Sequence, residues 1–195
     1  MKKVVYIIPG MGEKTKLKKY QKVIKFFQAS HFKTVPVKIT WDYKVMSDYA
    51  KEFLSQFKPA GKGEEVYLFG FSFGAMIALI TVAQIKPKVL FLCSLSPYFK
   101  EELPYIKNSW KKIVGSKRLE DFKKFSLNRL AKSVHCKTIL VFGAKESPDT
   151  KAEVKRAKSI NKKIKNSKLF IIPDAKHEIG GKSYLNQLKV IISKL

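Results

Sequence analysis

The segment that most narrows the possible folds is EVYLFGFSFGAMIALITVAQI, residues 65–85. Its first part, EVYLFGF, is a short apolar run bounded by glycine and polar residues, the pattern of a strand buried on both faces. The second part, SFGAMIALITVAQI, is apolar on every side of a helix, and such a helix has to lie inside the protein. A buried strand that passes at once into a buried helix calls for stacked layers of sheet and helix.

The rest of the chain repeats that alternation. Strands are expected at 2–10, 32–41, 87–97, 136–146 and 167–177, with Pro36 pointing to an edge or a bulge in the second of them. Helices are expected between them, one from Leu17 onward with Tyr20, Val23, Ile24 and Phe27 at helical spacing, and one over 47–57 capped by Ser47. Further helices are read over 151–164 and 183–194. Strands alternating with helices need crossover connections, hence a mainly parallel sheet covered on both faces. The irregular, aromatic and lysine-rich stretch 97–133 reads as an insertion over one end of that sheet, within a single domain spanning 1–195.

Composition excludes several classes. The net charge of +25 invites a nucleic-acid or anionic-surface partner, but the 40 basic residues include only three arginines, Arg118, Arg129 and Arg156. Arginine is the side chain suited to bidentate phosphate and base contacts. The lysines are spread along the chain as polar positions of amphipathic helices, so solvated helix faces are the expectation and a specific nucleic-acid partner is not. Cys93 and Cys136 lack disulfide-framework or zinc-ligand spacing, which fits a reducing cytoplasm and no metal. The apolar start of MKKVVYIIPG ends at Pro9 without a cleavage signal, and no segment is read as crossing a bilayer.

In parallel sheets, chemistry collects just beyond the carboxyl ends of the strands. GFSFG, residues 70–74, fits GxSxG where a strand becomes a helix. There a sharp turn presents Ser72, and the helix N-terminus with the Phe73 N–H can hold an oxyanion. The competing reading is a plain serine cap. A serine nucleophile needs a base oriented by a carboxylate. His31 and His135 precede strands, at the wrong end, whereas His177 follows one. The loop after the fifth strand offers two acids, Glu146 and Asp149, the second of which could instead cap the next helix. PGMGEKT lacks the glycine directly before lysine that a phosphate loop requires, since Glu13 intervenes, and GxGxxG fails at Thr15.

Together, IIPGMG, GFSFG, VFGAKESPD and IPDAKHEIGG resemble the α/β-hydrolase fold family along nearly the whole chain. The resemblance implies a three-layer α/β/α sandwich, a compact version with a short helical cap and a mainly parallel sheet of about six strands. It implies Ser72 as nucleophile, His177 as base and Glu146 as the acid, with Asp149 in reserve because most members carry aspartate at the acid position. The Met11 and Phe73 N–H groups would form the oxyanion hole. A serine hydrolase acting on a small ester or thioester follows, without cofactor, with Tyr98, Phe99, Tyr105 and Trp110 of the insertion offering an apolar wall for substrate. Acyl transfer on the same triad, or a noncatalytic or basic-surface binding protein on the same fold, are the alternatives.

Overall fold

The apolar runs become six strands and the buried helix that follows the third of them, and the more polar stretches become the other helices. The structure, a computed structural model, describes residues 1–195. In chain order it contains β1 (Lys2–Ile8), α1 (Lys18–Ala29), β2 (Phe32–Pro36), α2 (Met46–Gln56), β3 (Glu64–Phe71), α3 (Phe73–Ile85) and β4 (Val89–Cys93). A 3-10 turn (Leu103–Tyr105) and three short helices follow: α4 (Asn108–Val114), α5 (Ser116–Phe122) and α6 (Leu127–Lys132). The chain closes with β5 (Lys137–Gly143), α7 (Thr150–Lys163), β6 (Ser167–Ile172) and α8 (Lys182–Ile192).

All neighbouring strands are parallel, in the order β2-β1-β3-β4-β5-β6. The order reverses between β1 and β3, which makes the space beyond their carboxyl ends the topological switch point, where such sheets bind ligands. Alternation along each strand feeds two cores. Val4, Tyr6 and Ile8 of β1 pack with α2, α3 and α7, while Val5 and Ile7 face α1 and α8. The result is an α/β/α sandwich. Helix α1 shows how the lysines are accommodated: it buries Tyr20, Val23, Ile24 and Phe27 and turns Lys18, Lys22 and Lys25 to solvent. No helix is long and apolar enough to cross a membrane.

Three local expectations are corrected. The second strand ends at Pro36, at the sheet edge, and does not reach Trp41. Val37, Ile39 and Trp41 keep strand-like alternate burial, but the Lys38 and Thr40 N–H groups donate to Gln56 Oε1 and Glu52 Oε1 of α2. The fourth strand stops at Cys93 because Ser94 turns to φ +48°. Ser47 does not cap α2. That helix begins at Met46, and the Val45 N–H donates to Asp48 Oδ2.

Ser47 instead donates through its N–H and its hydroxyl to the two oxygens of Asp121 on α5, at 2.8 and 2.6 Å. Lys124 donates to the same carboxylate. Burial would raise the Asp121 carboxyl, but the hydrogen bonds from Lys124 and Ser47 outweigh it and hold it below its ordinary range. A depressed carboxyl contributes stability above its unfolded pKa, about 3.9, and that contribution is lost as pH falls through the lower folded value. Asp121→Ala should therefore cost roughly 1–3 kcal/mol in urea unfolding at neutral pH. The gap between variant and wild type should shrink toward acid; a gap that stays constant down to strongly acidic pH would contradict this ion's role.

Candidate active site

Strand β3 ends at Phe71 and α3 begins at Phe73, so Ser72 alone makes the turn, at φ +56° and ψ −117°. A non-glycine residue there is strained by about 1–3 kcal/mol and persists only where its surroundings hold it. The Ser72 N–H donates to the Cys93 carbonyl at 2.9 Å, and the Ala75 and Met76 N–H groups donate to the Ser72 carbonyl. The two flanking glycines permit the close approach this needs. A Cβ on Gly70 would lie 2.3 Å from the Gly74 carbonyl oxygen, and one on Gly74 would lie 2.2 Å from that of Ile8.

His177 stands in the loop after β6, its ring tilted against Phe71 at 5.2 Å between centroids. Its Nε2 is 2.9 Å from Ser72 Oγ, and its Nδ1 is 2.9 Å from Glu146 Oε2. The Glu146 side chain is 4% exposed and that of His177 40%. The other Glu146 oxygen accepts from the Gly143 N–H at 2.5 Å and from the Ser94 hydroxyl at 2.6 Å. An ionised carboxylate only accepts, so the network assigns the imidazole proton to Nδ1 and leaves Nε2 to accept the Ser72 hydroxyl. The structure thus brings together Ser72, His177 and Glu146. Asp149 makes no hydrogen bond to them and accepts from the Ala152 N–H as the N-cap of α7.

Residues that no motif singles out surround this chain of bonds. Ser94 is fully buried, and its Oγ, having given its proton to Glu146, accepts at 2.8 Å from the Tyr184 hydroxyl, which also lies 3.1 Å from the Val141 carbonyl. Burial pushes the Tyr184 hydroxyl and the Cys93 thiol well up, so both stay neutral beside Glu146. Ser96 Oγ is 3.0 Å from Ser72 Oγ. Between Ser94 and Ser96 in the chain, the Leu95 carbonyl accepts from Arg156, which is paired in turn with Glu102. The signal available in the sequence was SLS directly after an apolar strand, at the end of the sheet where chemistry collects.

The loop after β1 is fixed just as firmly. The Tyr20 hydroxyl accepts from the Gly10 N–H at 2.8 Å and donates to Glu13, which also pairs with Lys19. The Trp41 indole N–H donates to the Glu13 carbonyl at 3.0 Å. Burial, with the Glu13 carboxylate second, pushes the Tyr20 hydroxyl far above its ordinary value, so it remains a donor. The Met11 and Phe73 N–H groups make no hydrogen bond within the chain. The insertion aromatics do not gather as one wall. Phe99 is fully buried in the core, and Tyr98 stacks on Phe122 and meets Phe73 edge-on. Tyr105 and Trp110 are 87% and 54% exposed. His31 and His135 sit at the opposite ends of strands, as turn and surface residues. No three His, Cys, Asp or Glu side chains gather where they could hold a metal ion.

No protein-family model and no curated protein matches the chain. Solved structures do. Est1E from Butyrivibrio proteoclasticus superposes with a TM-score of 0.79 at 16% identity, covering 99% of this chain and 86% of its own. The α/β hydrolase domain-containing protein 10 from mouse gives 0.78 at 13% identity, with 98% and 88% covered. The Pyrococcus furiosus esterase Pf2001 gives 0.71 at 16%, with 98% and 80% covered. The chain therefore has the α/β-hydrolase fold.

Gly74→Ala should be among the most damaging single-methyl additions, because its Cβ would enter the Ile8 and Pro9 carbonyls, both backbone atoms. A loss of roughly 1–3 kcal/mol or more in urea unfolding is expected. Unchanged stability would mean that the turn is looser than described.

Proposed function

We propose that this protein is a serine hydrolase that cleaves a carboxylic ester or thioester of a small molecule through an acyl-enzyme on Ser72. The observation that carries the proposal is the unbroken hydrogen-bond chain from buried Glu146 through His177 to a serine held at positive φ. Support also comes from the Pyrococcus furiosus esterase Pf2001, which shares the fold.

In this reading Ser72 Oγ attacks the carbonyl carbon and its proton passes to His177 Nε2. Glu146 stabilises the resulting imidazolium and keeps the ring oriented. The negative oxygen of the tetrahedral intermediate is held by the Met11 and Phe73 N–H groups, which have no other partner. His177 then protonates the leaving alcohol or thiol. Water, deprotonated by His177, attacks the acyl carbon, and Ser72 leaves with the proton. The whole chain acts as one domain with 97–133 as its cap, and Tyr98, packed on Phe73, is the cap aromatic that borders the acyl group.

Hydrolysis of p-nitrophenyl acetate tests the assignment. Ser72→Ala and His177→Ala should lose turnover, and Glu146→Ala should lower kcat roughly 10³- to 10⁴-fold. Asp149→Ala should keep kcat and lose about 1 kcal/mol of stability with the helix cap. A large loss confined to Asp149→Ala would overturn Glu146 as the acid, and full activity in Ser72→Ala would overturn the mechanism.

A further inference from the structure

We propose that Ser96 is a further catalytic residue, whose hydroxyl donates to Ser72 Oγ and assists its departure from the acyl-enzyme. The inference rests on the hydrolase reading above and adds a member to its machinery.

Ser96 is 3% exposed, and a hydroxyl that deep has to spend its proton within the protein. Other buried or half-buried hydroxyls here spend it either on nearby backbone, as Thr81 donates to the Ile77 carbonyl, Ser133 to that of Leu130 and Ser167 to that of Ile164, or on a carboxylate, as Ser47 does on Asp121 and Ser94 on Glu146. Ser96 Oγ has a single partner, Ser72 Oγ at 3.0 Å. Proton counting sets the direction. Ser72 has one hydroxyl proton, which His177 Nε2 accepts at 2.9 Å, so Ser96 is the donor of the bond between the serines. Its place is fixed by the two residues before it, Ser94 bonded to Glu146 and the Leu95 carbonyl bonded to Arg156.

A donor in this position acts unequally on the two halves of the reaction. In the free enzyme Ser72 Oγ is a hydroxyl oxygen and a good acceptor. Once acylated it is an ester oxygen, a poor one, and the Ser96 bond weakens. When the second tetrahedral intermediate collapses, the bond between the acyl carbon and Ser72 Oγ breaks, its electron pair stays on Oγ, and His177 returns the proton. The Ser96 hydrogen bond strengthens as that charge develops, which favours expulsion of Ser72 over loss of the attacking water. Ser96 gains and loses no proton overall. During acylation the same bond has to weaken, so Ser96 does not speed that half.

Pre-steady-state hydrolysis of p-nitrophenyl acetate, with intact-mass detection of the acetyl-enzyme, separates the two halves. Ser96→Ala should acylate at a rate within about threefold of wild type and deacylate roughly tenfold to a hundredfold more slowly, the range of one hydrogen bond to a charged oxygen. It should therefore show a burst and accumulate acetyl-Ser72. Ser96→Cys, a weaker donor of similar size, should fall between the two and serves as the reading if Ser96→Ala does not fold. Deacylation at the wild-type rate in both variants, or equal slowing of both halves, would overturn the role of Ser96 while leaving the hydrolase reading intact. Failure of the wild type to acylate Ser72 would overturn the hydrolase reading itself.

Discussion

The first turn of α3 lies directly on the carbonyl end of β1, and the rest of the site depends on that approach. Ile8 pairs with Gly70 in the sheet, and Gly74 sits so close to the Ile8 and Pro9 carbonyls that only a glycine fits. This contact forces the chain to reverse within one residue and holds Ser72 in a backbone region that serine avoids. It also draws the loop after β1 alongside. A Cβ on Gly10 would come within 3.4 Å of Ser72 Cβ, so the loop after β1 packs directly against Ser72 at the switch point of the sheet.

A buried carboxylate next to such a turn costs heavily unless it is fully bonded. Glu146 meets that condition with the Gly143 N–H, the Ser94 hydroxyl and the His177 ring. Ser94 is anchored in turn by Tyr184, so α8 on one face of the sheet supports an acid that lies in the loop after β5. On the other face, Arg156 of α7 holds the Leu95 carbonyl. Both helical layers therefore converge on the short segment 94–96.

Legibility in the sequence followed the range of the interactions involved. The alternation of strand and helix could be read because both periodicities are local, and the apolar α3 could only be interior. Val37, Ile39 and Trp41 imitate a strand because they are alternately buried, yet the partners of that segment are side chains of α2, which no local pattern reveals. Ser47 resembled a cap because the carboxylate it binds, on Asp121, is 74 residues away. The juxtaposition of Ser72, Glu146 and His177 could be anticipated from their common place after strands. Ser94, Ser96 and Tyr184 could not, since they are ordinary residue types brought in by packing. In the sequence Glu13 only spoils a phosphate loop, whereas in the structure it anchors the loop after β1.

In the proposed mechanism one serine out of the whole chain is made nucleophilic by its position. Reaction with a fluorophosphonate, followed by peptide mass mapping, tests it most directly. A single adduct is expected, on Ser72, and its formation should require both His177 and the folded chain. Absence of any adduct, or an adduct on another serine, would contradict it.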